Sequence, residues 1–133
     1  MRRVHMLFQA AATAGLIAML AGCEDSTDNS LDKFNVGSNN RDVIVALGDS
    51  VTEGTEIDEP AYPERLAGIL GCQVINAGTG GDESGAGVAK IQSLLTQYRP
   101  GFVTIMYGIN DIKHSVPRDT TIANLRAMIV AAK

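Results

Sequence analysis

The chain has 133 residues, of which 20% are charged and 45% belong to the hydrophobic class. This length allows one domain at most, and the composition is that of a globular protein rather than a disordered or fibrous one. The formal net charge of −4 argues against non-specific nucleic-acid binding, because such binding depends on basic patches that neutralise phosphates.

Residues 1–22 resemble a bacterial lipoprotein signal peptide. Two arginines precede an uncharged, mostly apolar stretch from Met6 to Leu20, and Cys23 directly follows a Leu-Ala-Gly sequence. A short apolar run behind basic residues is typical of a secretory signal rather than of a membrane-spanning helix. The resemblance implies cleavage before Cys23 and its acylation. Because Glu24 follows instead of Asp, it also implies an outer-membrane anchor facing the periplasm. The alternative is a plain signal peptide with an incidental cysteine.

Residues 23–40 are predicted to form a flexible tether between the membrane and the folded domain. From Glu24 to Asn40 the sequence is rich in Asp, Asn and Ser and poor in apolar residues. Such a composition is typical of a linker that lacks a packed core. The domain is therefore expected to occupy residues 41–133.

From Asp42 onwards the sequence alternates between predicted strands and helices. The strands are predicted at 43–47, 73–76 and 102–106. The helices are predicted at 64–70, around 88–95 with an end at Pro100, and at 119–133 with Asp119 or Thr120 as the N-cap. This alternation predicts a parallel sheet with helices on both faces. Ligands bind at the carboxyl ends of the strands in such sheets.

One short motif follows each predicted strand, so the three motifs should converge on one edge of the sheet. They are GDSVTEG at 48–54, NAGTGGD at 76–82 and YGIND at 107–111. A serine at a strand end can present its hydroxyl as a nucleophile, and glycine N–H groups and an asparagine amide can stabilise an oxyanion. Taken singly, each motif has an ordinary alternative. The first could be a simple turn, the second a phosphate-binding loop of a nucleotide-binding module, and the third a turn that caps a helix.

In combination, the motifs Gly-Asp-Ser-x-Thr-x-Gly, Asn-x-Gly-x-x-Gly-Asp and Gly-x-Asn-Asp resemble those of the GDSL or SGNH hydrolase family, over residues 42–133. The resemblance implies a flavodoxin-like, three-layer α/β/α sandwich around a parallel sheet of five strands. It implies that Ser50 is the nucleophile and that the oxyanion hole consists of the Ser50 N–H, the Gly81 N–H and the Asn110 side-chain amide. Asp49 is expected to hold the turn rather than to act as the triad acid.

The same resemblance implies an ester hydrolase that needs no metal or cofactor. Its substrate would be a small ester, a lipid or an acetylated glycan. In the family, the general base comes from an Asp-x-x-His motif near the C-terminus, after the fifth strand, and this part of the family pattern is absent from the chain. The sequence Asp111-Ile-Lys-His114 has the same spacing but directly follows Asn110 in the third motif. Of the two histidines, His5 lies in the signal peptide, and His114 is interpreted as an exposed loop residue rather than as a substitute base.

Only three strands are predicted, so the C-terminal strands of the sandwich are missing. We therefore expect the chain to be the N-terminal part of a lipoprotein esterase, because a serine without a base is a poor nucleophile at neutral pH. The alternative is a non-catalytic, ligand-binding lipoprotein on the same scaffold.

Overall fold

The computed structural model describes residues 34–55 and 59–133. The predicted signal peptide, Cys23 and most of the predicted tether lie outside these residues. No helix within the two described ranges is long and apolar enough to cross a membrane. The strands are β1 (Asn40–Gly48), β2 (Gln73–Gly78) and β3 (Pro100–Met106). The helices are α1 (Ser50–Glu53), α2 (Tyr62–Leu70), α3 (Ser84–Tyr98), α4 (Ile109–Lys113) and α5 (Arg118–Ala131).

The three strands form one parallel sheet in the order β2-β1-β3. Strand β1 takes the central position because its apolar run from Val43 to Leu47 is buried on both faces, as expected for a central parallel strand. Gly48, at the end of β1, pairs in register with Gly78 of β2 and Met106 of β3. The predicted parallel α/β architecture is confirmed, and the three strand ends lie side by side.

The core lies on both faces of this sheet, since successive residues of a strand point to opposite sides. On one face, Val45 and Leu47 pack with Ile91 of α3 and Met128 of α5. Ala46 and its register partner Thr104 belong to the other face, where the Tyr62 hydroxyl of α2 lies 3.0 Å from Thr104 Oγ1. The helices therefore cover the sheet from both sides.

Contacts with the domain begin before residue 41. The ring of Phe34 meets that of Phe102 edge to face, with 6.2 Å between the centroids. Arg99 donates a hydrogen bond to the carbonyl of Ser38 at 2.8 Å. Strand β1 starts at Asn40, earlier than its apolar pattern indicates, because polar residues at the start of a strand carry no hydrophobic signal.

The predicted start of the last helix is wrong. Helix α5 begins at Arg118 and ends at Ala131, and its N-cap is Pro117, which makes no side-chain capping hydrogen bond. Asp119 and Thr120 lie inside the first turn. The prediction failed because Asp and Thr are common N-caps, whereas proline, with its fixed φ, can begin a helix without a side-chain cap.

At Gly87, helix α3 packs closely against Tyr107, which follows β3, and against Met128 of α5. A Cβ atom there would lie 2.5 Å from Tyr107 Cε2 and 2.6 Å from Met128 Sδ, whereas at Gly85 the nearest atom, Asn124 Nδ2, would be 3.8 Å away. We expect Gly87→Ala to lower the free energy of unfolding by about 1–3 kcal/mol through overpacking. Gly85→Ala, the matched control, should raise it by about 0.5 kcal/mol through helix propensity. Urea denaturation of both variants tests this, and equal effects would contradict it.

Candidate active site

Ser50 is the first residue of α1 and directly follows the end of β1. Asp49 is buried and acts as the N-cap: its Oδ1 accepts a hydrogen bond from the Val51 N–H at 3.0 Å, and its carbonyl accepts from the Thr52 N–H. These bonds hold the turn. The first N–H groups of a helix have no intrahelical acceptor, and no described residue accepts from the Ser50 N–H. That N–H is therefore available to a ligand.

The glycines of the first motif let α1 pack tightly against the strand ends. A Cβ atom at position 48 would overlap Thr52 Oγ1 and lie 2.8 Å from the Met106 carbonyl oxygen, and Thr52 is fully buried. Gly54 ends α1 with a φ of +81°, and a side chain there would overlap Ala61. The residues around Ser50 thus fix the position of α1 by close backbone approach.

The glycine-rich turn after β2 lies beside α1, the helix that begins with Ser50. Gly78 touches the backbone of Glu53 so closely that a Cβ atom would overlap the Glu53 nitrogen. The Gly80 N–H donates to Glu53 Oε2 at 2.7 Å, and a Cβ atom on Gly80 would lie 3.9 Å from Ser50 Cβ. Gly81 has a φ of +81°, and its N–H donates to no described residue. Gly81 therefore supplies a second unpartnered donor, next to the residue of the turn that approaches Ser50.

Asn110 lies in α4 and is only 4% exposed. Its Nδ2 donates to the carbonyl oxygen of Asp82 at 2.9 Å, which ties the third motif to the second and leaves the other amide hydrogen for a further acceptor. It does not cap the helix, because the N-cap residue of α4 is Gly108. The structure thus joins Asn110 to the glycine turn, and the glycine turn to Glu53 of the helix that begins with Ser50.

A buried carboxylate, Asp111, anchors α4 to its neighbours. It accepts hydrogen bonds from the backbone N–H of Ser84 at 2.9 Å, from the Ser84 hydroxyl and from Thr121 Oγ1 at 3.0 Å. Burial raises the pKa of Asp111, but the hydrogen bonds from Ser84 and Thr121 outweigh it and lower the pKa overall. Sequence reasoning missed Ser84 and Thr121, since neither belongs to a motif.

His114 and Tyr107 make no hydrogen bond to Ser50 within the described residues. His114 Nδ1 lies 2.8 Å from Glu83 Oε1, and its side chain is 55% exposed, with no hydrogen bond to Ser50 in the described part of the chain. The buried Tyr107 hydroxyl has no described partner, and burial together with the charges of Asp82 and Asp49 raises its pKa to about 12. Tyr107 therefore stays neutral at physiological pH.

Comparison with known proteins agrees with this arrangement. The model of the GDSL-like lipase/acylhydrolase family matches residues 46–133. The chain belongs to this family. An arylesterase from Vibrio mimicus is 33% identical over 96 residues, which make up 68% of this chain and 48% of that protein.

Solved structures of esterases share the fold. AlinE4, an esterase of the SGNH-hydrolase family, superimposes with a TM-score of 0.60 at 27% identity, over 69% of this chain and 53% of AlinE4. The psychrotrophic esterase EstA from Pseudoalteromonas sp. gives a TM-score of 0.57 at 26% identity, over 66% and 51%. The chain thus spans about half the length of the relatives it matches.

Asp111 makes the stability of this region dependent on pH. Because its folded pKa lies below the ordinary value of 3.8, the ionised form stabilises the fold above about pH 4, and this contribution is lost as pH falls through the folded pKa. Asp111→Asn should lower the free energy of unfolding by about 2 kcal/mol at pH 7, and by progressively less below pH 4. Denaturant titrations between pH 3 and pH 7 measure this. Asp119→Asn, at an exposed site, is the control, and a pH-independent loss for Asp111→Asn would contradict the prediction.

Proposed function

We propose that the protein is a serine ester hydrolase of the GDSL/SGNH type. The observation that supports this most directly is the register at the strand ends, where Gly48 lies between Gly78 and Met106. This register brings the segments that carry Ser50, Gly81 and Asn110 to one edge of the sheet. A nucleophile and three separate hydrogen-bond donors at one edge are what acyl transfer requires.

In the proposed reaction, Ser50 Oγ attacks the carbonyl carbon of an ester and loses its proton to a base. The tetrahedral oxyanion accepts hydrogen bonds from the Ser50 N–H, the Gly81 N–H and the Asn110 amide. The alcohol then leaves with a proton and an acyl-serine remains. Water attacks this acyl-serine, which releases the carboxylic acid and restores the hydroxyl. Preorganised donors of this kind stabilise the transition state by roughly 3–4 kcal/mol each.

The base is proposed to come from outside the described residues. Among the described residues, no histidine or carboxylate is hydrogen-bonded to the Ser50 hydroxyl. The matched part of this chain corresponds to 48% of the arylesterase and 53% of AlinE4. We propose that the other half of such a protein supplies an Asp-x-x-His pair. An oxyanion hole without a base would leave residual catalysis of only about 10³–10⁴ over water.

The proposed substrates are small esters, lipids or acetylated glycans. Two large apolar side chains, Val51 and Ile109, are about half exposed directly beside Ser50 and Asn110. An apolar rim of this kind supports an ester with an apolar portion. The similarity to an arylesterase also supports a carboxylic ester as the substrate.

We also propose that Cys23 is lipidated and anchors the protein to the outer membrane, facing the periplasm. The support is the sequence alone: two arginines, an apolar stretch and Leu-Ala-Gly-Cys in order. Several acyl chains on one cysteine residue hold a protein on a membrane stably, whereas one chain does not.

Replacing the nucleophile tests the proposed activity. With the chain at its natural full length, Ser50→Ala should reduce the turnover of p-nitrophenyl acetate or butyrate at least 10³-fold, because the acyl-enzyme can no longer form. Ser93→Ala, which removes an exposed hydroxyl on α3, is the matched control and should retain full activity. Turnover that survives in Ser50→Ala would remove Ser50 as the nucleophile. Binding of esters without any turnover by the unmodified protein would favour the non-catalytic alternative.

Metabolic labelling with palmitate tests the membrane anchor. The unmodified protein should carry the label and fractionate with membranes, whereas Cys23→Ser should carry none. Cys72→Ser is the control and should keep the label, since the lipid is proposed to be on Cys23 only. An unlabelled protein in which intact mass shows a disulfide between the two cysteines would overturn the lipid anchor.

A further inference from the structure

We propose that Lys90 is a positioning residue for the oxyanion hole. It holds the turn 79–82 in the conformation that leaves the Gly81 N–H available to the reacting carbonyl. This inference rests on the proposed ester hydrolysis and adds to it a residue that lies outside all three motifs.

Lys90 spans the glycine turn from one end to the other. Its Nζ donates to Thr79 Oγ1 at 2.8 Å and forms an ion pair with the Asp82 carboxylate. The Asp82 N–H in turn donates to the Thr79 carbonyl at 3.2 Å, which closes a four-residue turn with Gly80 and Gly81 at its centre. One ammonium group on a rigid helix therefore fixes both ends of the turn.

A turn with two central glycines needs such a constraint. Glycine populates positive and negative φ almost equally, so a Gly-Gly pair has more backbone conformations than any other. Gly81 has to keep a φ of +81° for its N–H to stay where it is. From the opposite side, Glu53 accepts the Gly80 N–H. The turn has two central amides. Glu53 accepts that of Gly80, and the amide of Gly81 stays free to bind a ligand while Lys90 holds the ends of the turn.

The same contact extends to Asn110. The carbonyl oxygen of Asp82 orients the Asn110 amide, and the carboxylate of Asp82 is held by Lys90. Two of the three proposed oxyanion donors thus depend on the position of Asp82. The side chains of Lys90 and Asp82 are 36% and 18% exposed, so water screens their ion pair less than a fully exposed one. Lys90 itself donates to neither Gly81 nor Asn110, and its effect is indirect.

Steady-state kinetics of Lys90 variants in the full-length protein tests this inference. Because the oxyanion interaction strengthens in the transition state, Lys90→Met should lower kcat about 10-fold and change KM less than 2-fold. Lys90→Arg keeps the charge and the donors and should stay within 3-fold of the unmodified protein. Thr79→Val, which removes the other contact, should lower kcat by a smaller factor. Arg126→Met, which removes an exposed charge on α5, should have no effect.

A double-mutant cycle with Asp82→Asn separates positioning from a merely structural role. If Lys90 acts through Asp82, the Lys90→Met/Asp82→Asn protein should be no slower than the slower single variant. The rate at which an organophosphonate ester modifies Ser50 should fall in parallel with kcat, since that reaction builds charge on the same donors. Active-site titration corrects each kcat for unfolded protein.

Several outcomes would overturn the inference. The inference is wrong if Lys90→Met leaves kcat unchanged or changes KM alone. It is also wrong if the effects of Lys90→Met and Asp82→Asn on kcat multiply in the double variant, as independent effects do. If Lys90→Met fails to fold, an unchanged kcat in Thr79→Val is the overturning result. A protein whose activity survives Ser50→Ala would instead overturn the proposed function, and this inference with it. If Ser50→Ala loses activity but Lys90→Met keeps the kcat of the unmodified protein, this inference is overturned and the proposed function stands.

Discussion

The central strand β1 ends at Gly48, and helix α1 begins two residues later at Ser50. Gly48 also pairs in register with the last residues of both neighbouring strands. The absence of a Cβ atom there allows Thr52 to pack against the strand end beside the Met106 carbonyl. A larger residue would push α1 away from the sheet, and Ser50 with it. The positions of the glycine turn and of Asn110 follow from this close packing, because the glycine turn contacts α1 through Glu53 and Asn110 contacts the glycine turn.

Three acidic residues lie in or beside the segment that carries Ser50, and each of them makes hydrogen bonds. Asp49 caps α1, Glu53 accepts from Gly80, and Asp82 pairs with Lys90. Uncompensated carboxylates close to a developing oxyanion would raise the barrier that the donors are there to lower. Under the proposed mechanism these bonds would therefore have two effects at once: they would position the backbone donors, and they would offset negative charge beside the oxyanion.

The helices contribute rigidity from behind the site. Asp111 links α4 to Ser84 of α3 and Thr121 of α5 through buried hydrogen bonds, and Gly87 lets α3 lie close against Tyr107. Asp111, the residue next to Asn110 in α4, is thus held by two other helices. Because donors that need no reorganisation stabilise a transition state best, this buried network would also support the oxyanion role proposed for Asn110.

The sequence by itself determined the strands, the parallel α/β class, the order of the three motifs and the family, because apolar runs and motif spacing are local signals. It could not indicate the short helices α1 and α4, which span too few residues for a hydrophobic period, nor the cap of α5. Only the tertiary structure decided which side chains hold the glycine turn around Gly81. Glu53 reaches Gly80 across 27 residues, and Asn110 reaches Asp82 across 28. Contacts so distant in sequence form only when the sheet register sets the strand ends side by side, and no local pattern encodes them.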